Sequence, residues 1–150
     1  MNKTLALVKP DGVQRGLSGE IISRIERKGL KIVGIKMIKM SNELASLHYA
    51  DHSAKPFFSN LIAFITSGPI VALALEGPNS IQALRNLMGS TNPIESTPGS
   101  IRGDLGLSLG NNLIHGSDSE ESAERELNIF FNENELFEYE RNIDAWIIES

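Results

Sequence analysis

The chain has 150 residues, a formal net charge of −5 and no cysteine. This length suits one domain with a substantial hydrophobic core, and we expect a single domain over residues 1–150. The acidic balance gives no broad cationic surface for a nucleic-acid backbone, so no specific nucleic-acid partner is expected. The lack of cysteine excludes thiolate nucleophiles, disulfides and cysteine zinc sites.

The N-terminus and the hydropathy pattern predict a cytoplasmic protein. Met1-Asn2-Lys3-Thr4 leads directly into a strand-like run, without the apolar core or cleavage site of a secretion signal. No later apolar stretch has the length needed to span a bilayer, so no membrane partner is expected.

The first strand is predicted from the apolar run Thr4 to Val8, and the Pro10-Asp11-Gly12 sequence after it predicts a turn. This leaves Lys9 at the strand's end, where its spacing alone is typical of a solvated side chain. Further periodic runs predict strands at 31–40 and 70–75, and helices that begin near Ser18, Ser41, Pro56 and Asn79.

Two histidines, His48 and His52, lie one helical turn apart with Asp51 between them. Such a pair can face one metal ion, but a closed site needs four ligands and no third is near in sequence. We therefore favour two ordinary helix-surface histidines over a metal site. Tyr49 is of more interest, because a phenol can hydrogen-bond a phosphate while its ring packs.

Residues 89–111 are rich in Gly, Pro, Ser, Thr and Asn and show no sustained periodicity. Because long irregular loops inside compact domains are usually functional, we expect this one to serve the site. It contains Thr91 and Arg102 and runs into the segment Asn112-Leu113-Ile114-His115-Gly116-Ser117-Asp118.

His115 is predicted at a corner between a short strand and the next helix. Ser117 and Glu120 have the spacing of a capping box, which predicts a helix beginning immediately after the histidine. The partial positive charge of that helix terminus favours an anion such as phosphate. From this local pattern alone, a catalytic histidine and a hydrogen-bonded turn histidine both remain open.

The order of elements suggests an α+β sandwich in which helices cover one face of a mainly antiparallel sheet. The glycine-rich signatures of P-loop, dinucleotide-binding and protein-kinase sites are missing, and so is the G-x-S-x-G of esterases. What remains is an imidazole, a lysine, two arginines and a polar loop.

This set of residues is typical of phosphoryl transfer with histidine as a covalent relay. A histidine with an ordinary pKa of about 6.5 is largely neutral in the cytoplasm, so one ring nitrogen has a free lone pair for attack on phosphorus. Glu126 could orient the other ring nitrogen. The cations Lys9, Arg85 and Arg102 could neutralise the phosphoryl oxygens.

The segment 112–118 resembles the N-x-x-H-G-S-D signature of nucleoside diphosphate kinases. Other ordered motifs extend the resemblance over nearly the whole chain: Lys9-Pro10-Asp11-Gly12, His48-Tyr49-Ala50, Pro56-Phe57-Phe58, Ser67-Gly68-Pro69, Gly89-Ser90-Thr91-Asn92-Pro93, Pro98-Gly99-Ser100-Ile101-Arg102-Gly103-Asp104 and Trp146-Ile147.

The resemblance implies a ferredoxin-like fold with a four-stranded, mainly antiparallel sheet covered by helices. It also implies a ping-pong reaction in which a nucleoside triphosphate phosphorylates His115 and a nucleoside diphosphate then accepts the phosphoryl group. Mg²⁺ would arrive with the nucleotide, and Asp118 would reach it through water. A homohexamer is implied, with a homotetramer as the alternative.

The resemblance also implies roles for individual residues. Lys9 and Asn112 would contact the sugar hydroxyls, and Lys9 and Tyr49 would lie close to the transferred phosphate. Glu126 and Ser117 would orient and assist the imidazole. The remaining nucleotide contacts would come from the phosphate-binding Arg85, Thr91 and Arg102 and from the base slot of Phe57, Leu61 and Leu109.

Three residues depart from the usual pattern of that family. Asn111 replaces a common basic residue, Leu105 a common aromatic and Leu75 a frequent tryptophan. None of them is a catalytic position, so the departures concern loop packing and subunit contacts.

Overall fold

The computed structural model describes all residues, 1–150. The elements are β1 (Asn2–Val8), α1 (Pro10–Gln14), α2 (Ser18–Lys28), β2 (Lys31–Ile38), α3 (Asn42–His48), α4 (Phe58–Ile65), β3 (Ile70–Gly77), α5 (Ser80–Met88), α6 (Ile101–Leu105), β4 (Ile114–Gly116), α7 (Glu120–Phe130) and α8 (Asp144–Ile147). Short 3₁₀ turns lie at Ala50–His52, Pro93–Glu95 and Glu133–Glu135.

The four strands form one sheet in the order β2-β3-β1-β4, and every pairing is antiparallel. This confirms the predicted α+β sandwich with a four-stranded sheet. β1 is a central strand, which pairs with β3 along its whole length and with β4 near its C-terminal end.

Helices cover both faces of the sheet, so the expectation of one covered face was wrong. Side chains of β1 alternate between two buried cores: Ala6 and Val8 pack with α2 and α5, while Leu5 and Leu7 pack with α3, α4 and α7. Because residues 5–8 of β1 and 70–75 of β3 are apolar and buried on both faces, both faces require a helical layer.

Two expected irregular segments contain helical structure. The Pro10-Asp11-Gly12 segment begins α1 instead of forming an isolated turn, because proline is compatible with the first helical position. The 89–111 loop contains α6, whose Ser100 cap accepts a hydrogen bond from Gly103. A helix of five residues is too short to produce a recognisable sequence period.

The C-terminal segment packs along the body near β2. The Phe137 N–H donates to the Val33 carbonyl at 2.9 Å, and Arg141 donates to the Gly29 carbonyl at 3.0 Å. Trp146, in contrast, is 90% exposed. No helix of the protein is both long and apolar enough to cross a membrane.

Candidate active site

His115 is the middle residue of β4 and pairs with Leu7 of β1. It is half-buried and lines a cavity of about 370 Å³ together with Tyr49, Arg85, Thr91 and Asp118. A larger hollow of about 540 Å³ lies beside the N-terminus, but no histidine or arginine lines it. The smaller cavity is therefore the candidate active site, because it alone of the two is lined by histidine and arginine.

Glu126 lies behind His115 and fixes its ring. Its Oε1 atom is 3.0 Å from His115 Nε2 and accepts a 2.6 Å hydrogen bond from the Ser117 hydroxyl. Burial alone would raise the pKa of Glu126, but the hydrogen bonds and charge of His115 and the hydroxyl of Ser117 hold it below its ordinary value. An ionised carboxylate only accepts, so Nε2 carries the hydrogen and Nδ1 keeps its lone pair.

Ser117 does not form the predicted capping box. Its side chain is fully buried and donates to Glu126, whereas Ser119 is the N-cap of α7 and accepts from the Ser122 N–H. The helix therefore begins at Glu120, several residues after His115. The Ser-x-x-Glu spacing gave a wrong prediction because Ser117 donates to Glu126, nine residues later on α7. The spacing of Ser117 and Glu120 does not reveal this contact.

Lys9 is buried, so the prediction of a solvated side chain at the end of β1 was wrong. Its Nζ donates to Asn112 Oδ1 at 2.6 Å, and Asn112 Nδ2 in turn donates to the Thr91 carbonyl at 2.9 Å. Burial lowers the pKa of Lys9 to about 8, partly opposed by the charge of Asp11 and reinforced by that of Arg102. The ammonium is thus held where an added negative charge would stabilise it.

Arg102 is buried and is largely engaged by the main chain. It donates to the carbonyls of Asn112, Gly89 and Ile114 at 3.1, 3.3 and 2.5 Å. Burial, and then the charge of Arg85, lowers its pKa to about 10, so it is still charged at neutral pH. Its guanidinium therefore stabilises the positions of β4 and of the preceding loop through these hydrogen bonds.

Arg85 is half-buried on α5. Its Nη1 donates to the Gly116 carbonyl at 3.2 Å. α5 approaches β4 closely here, because a Cβ at Gly116 would lie 2.5 Å from Met88 Sδ and 3.0 Å from Leu84. The glycine thus lets α5 place Arg85 beside the histidine.

A second cavity of about 290 Å³ adjoins the first and is lined by Phe57, Asn60, Leu61, Phe64, Gly110 and Asn111. Phe57, the N-cap residue of α4, is 48% exposed, and Lys55 Nζ lies 5.6 Å from the centre of its ring. His52 of the first cavity and Phe57 of the second have rings 5.7 Å apart, so the two cavities are neighbours. Lys9 Nζ lies 5.2 Å from the Phe64 ring. Leu109, expected in this slot, is exposed next to it and does not line it.

His48 is buried against the catalytic side of the sheet, with its ring 4.8 Å from that of His115. Neither of its ring nitrogens has a hydrogen-bond partner. Burial, followed by the positive charge of a protonated His115, lowers its pKa to about 3. Burial raises the pKa of neighbouring Tyr49 to about 12, with a smaller contribution from Glu126, so the phenol keeps its proton.

The side chains that could together hold a metal ion are His48, His115 and Glu126, whose ligand atoms lie within 4.8 Å of one another. The helical pair His48 and His52 is therefore not the grouping that the fold makes. Glu126 Oε1 is already hydrogen-bonded, and Arg125 lies 3.9 Å from Oε2, so a nearby cation opposes a metal at this point.

Several residues of the site carried no signal in the sequence. Arg125 lines the histidine cavity beside Asp51 and Ser122, and Phe64 and Asn111 line the second cavity. The sequence around each of these residues is typical of any surface helix, amphipathic helix or loop. Only the folded structure shows that they line the cavities. Asn111, one of the three departures from the family pattern, borders the second cavity.

A histidine held by a buried carboxylate and facing arginines defines the chemistry of a phosphotransferase. A family model described as nucleoside diphosphate kinase matches residues 2–136. Nucleoside diphosphate kinases of Staphylococcus aureus strains JH9 and Newman are each 57% identical over 149 residues, covering 99% of this chain and 100% of theirs.

Two solved structures share the fold. A halophilic nucleoside diphosphate kinase of Halobacterium salinarum in complex with CDP superposes with a TM-score of 0.96 at 51% identity, covering 99% of both chains. A nucleoside diphosphate kinase family protein of Babesia bovis does so with a TM-score of 0.96 at 44% identity, covering 99% of this chain and 100% of its own. The chain belongs to the nucleoside diphosphate kinase family.

The buried, neutral His48 predicts a loss of stability in mild acid. Its folded pKa of about 3 lies below the ordinary 6.5, so below pH 6.5 the unfolded chain binds a proton that the folded chain does not. Between pH 7 and pH 5.5 this removes about 1 kcal/mol of unfolding free energy. Urea unfolding at both pH values measures it.

His48→Phe provides the matched comparison, because it keeps an aromatic ring beside Phe130 but cannot titrate. The other histidines contribute equally to both proteins, so the difference between wild type and variant isolates His48. Equal losses of unfolding free energy in the two proteins would show that His48 is protonated normally in the folded state.

Proposed function

We propose that the chain transfers the γ-phosphate of a nucleoside triphosphate to a nucleoside diphosphate through phosphorylated His115, as nucleoside diphosphate kinase. The observation that carries this assignment is the arrangement of Glu126, Ser117 and His115, which leaves Nδ1 free beside a cavity lined by Arg85 and Thr91. Full-length similarity to nucleoside diphosphate kinases supports it.

The reaction has two balanced halves. In the first, the Nδ1 lone pair of His115 forms a bond to the γ-phosphorus, and the bond to the bridging oxygen breaks with release of a nucleoside diphosphate. In the second, a terminal oxygen of another nucleoside diphosphate attacks the phosphorus and the P–N bond breaks. The ring becomes cationic when phosphorylated, and Glu126 and its hydrogen bond at Nε2 stabilise that charge.

The surrounding cations suit the phosphate chain. Lys9, Arg85 and Arg102 bind phosphate oxygens, with Thr91 as a hydroxyl donor, and the protonated phenol of Tyr49 donates near the transferred group. Lys9 also reaches the sugar through its partner Asn112. The three main-chain contacts of Arg102 assign part of its role to positioning.

The nucleoside occupies the adjoining slot, where its base stacks on Phe57 beside Leu61. Stacking without readout of base edges tolerates purines and pyrimidines alike. Leu109, exposed and adjacent in sequence to Gly110 of the slot, would contact the outer side of the base. The CDP bound to the Halobacterium salinarum relative supports a nucleotide in this chain.

The donor set also fits Mg²⁺ delivered with the nucleotide. Asp118 lines the histidine cavity, where carboxylate oxygen is the ligand type that this ion prefers, with water between them. When bound, Mg²⁺ neutralises phosphate charge. Asp118 would hold its water shell, and the protein's own cations bind the remaining oxygens.

We further propose a homohexamer in the cytoplasm, with a homotetramer as the alternative. Exposed apolar side chains along and beside the edge strand β2, among them Ile35, Met37 and Phe137, support self-association.

The decisive activity test is labelling with γ-³²P-ATP. Wild-type protein gains an acid-labile, alkali-stable label, and GDP or CDP removes it; His115→Ala gains none. Chelation of divalent metal slows labelling strongly, because the phosphate charge is then unscreened. Folded wild-type protein that takes up no label would refute the reaction, and a labelled His115→Ala would assign the nucleophile elsewhere.

Glu126→Gln tests the carboxylate. The amide oxygen can still accept from Nε2, but it brings no charge to offset the phosphorylated ring, so we expect the labelling rate to fall by roughly 10²-fold. Nucleotide affinity should be unchanged, because Glu126 faces the ring. Rapid quench with labelled ATP measures the rate.

Glu124→Gln is the matched control, since Glu124 is an exposed carboxylate on the same helix and should label at the wild-type rate. If Glu126→Gln also labels at the wild-type rate, the ionised carboxylate has no part in the chemical step.

Light scattering tests the assembly. A hexamer has six times the chain mass of 16.4 kDa, and a scattering mass of four chains would favour the tetramer. Ile35→Lys places a charge on the β2 edge and should lower the mass. An unchanged mass would exclude that edge as an interface.

A further inference from the structure

The backbone immediately before the histidine strand is strained at Leu113. Its φ is +74°, in the left-handed region that a leucine side chain disfavours. Leu113 is fully buried, so water does not satisfy its peptide groups. Such a conformation persists only when neighbouring groups hold it.

Three residues of the segment 9–12 meet Leu113. The Lys9 N–H donates to the Leu113 carbonyl at 2.8 Å, and the Leu113 N–H donates to Asp11 Oδ2 at 3.0 Å. Gly12, which follows Asp11, also packs closely here, because a Cβ there would lie 3.1 Å from the Leu113 carbonyl oxygen. The start of α1 and its N-cap Lys9 therefore hold the two peptide groups that flank Leu113.

The Leu113 peptide joins two functional residues. Asn112, which holds Lys9, precedes it, and Ile114 follows it into the strand that carries His115. A change of φ at Leu113 would rotate the Asn112 side relative to β4. The Leu113 N–H donates to Asp11, which lies 102 residues earlier in the chain. Asp11 therefore links the start of α1 to the segment that leads into β4.

We propose that Asp11 is a positioning residue for phosphoryl transfer, whose carboxylate holds the strained Leu113 peptide and thereby aligns Asn112 and His115. The proposal rests on the roles given above to those two residues. Asp11 Oδ1 is buried without a hydrogen-bond partner, so the carboxylate is aimed by Oδ2 alone. Its charge also acts on Lys9 and Arg102, so hydrogen bonding and charge must be separated by experiment.

Three variants separate them. Asp11→Asn keeps an oxygen that accepts from Leu113 but removes the charge, Asp11→Glu keeps the charge but misplaces the oxygen, and Asp11→Ala removes both. We expect single-turnover labelling within about twofold of wild type for Asn. For Glu and Ala we expect it roughly tenfold or more slower, since small misplacements of reacting groups reduce rates by such factors.

Hydrogen exchange followed by mass spectrometry reads the local effect. The peptide that includes Leu113 should exchange at the wild-type rate in Asp11→Asn and faster in Asp11→Ala and Asp11→Glu. Asp144→Ala is the matched control, because Asp144 also accepts a backbone N–H, from Arg141 at 2.9 Å, but lies in the C-terminal segment. It should lower thermal stability without slowing labelling.

The outcomes are distinct. Wild-type protein that takes up no label refutes the reaction itself, whereas an active wild type together with Asp11→Ala at the same labelling rate refutes only the role of Asp11. Asp11→Asn as slow as Asp11→Ala would assign the effect to charge and overturn the proposal. If Asp11→Ala fails to fold, the Asn and Glu variants alone decide.

Discussion

The buried carboxylate of Glu126 is the group on which the site depends. Placing an anion where it is 4% exposed is costly unless hydrogen bonds and positive charge replace water. Ser117 and His115 supply the hydrogen bonds, and Arg125 supplies charge at 3.9 Å. These contacts offset the cost of burying the Glu126 carboxylate, and they also fix the orientation of the His115 ring.

These contacts require β1. It pairs with β4, which places His115 opposite Leu7, and α7 packs on it, which brings Glu126 behind the ring. Lys9 follows where β1 ends, so the cation lies near the end of the strand that also carries the histidine's pairing partner. Covering both faces of this central strand lets one element bring together residues from the beginning and the end of the domain.

The sequence predicted most of the elements and the chemistry, because helical and strand periods and a dense motif are local signals. It failed where a residue's environment is set by distant partners. Lys9 looked solvated because its partner Asn112 is 103 positions away. Ser117 looked like a cap because its partner Glu126 belongs to a helix that must first pack on the sheet. Leu113 carries no local mark of its positive φ, since glycine or asparagine would be the usual sign.

Lys9 and Arg102 are buried cations, and burial disfavours their charged forms. Burial and the charge of Arg102 lower the pKa of Lys9 to about 8. Burial and the charge of Arg85 lower the pKa of Arg102. Asp11 is the carboxylate whose charge opposes both shifts. A phosphate bound among these groups would add negative charge and so favour their protonated forms. Phosphate binding at these residues would then be coupled to protonation of Lys9, because the fold keeps the cations close together and poorly solvated.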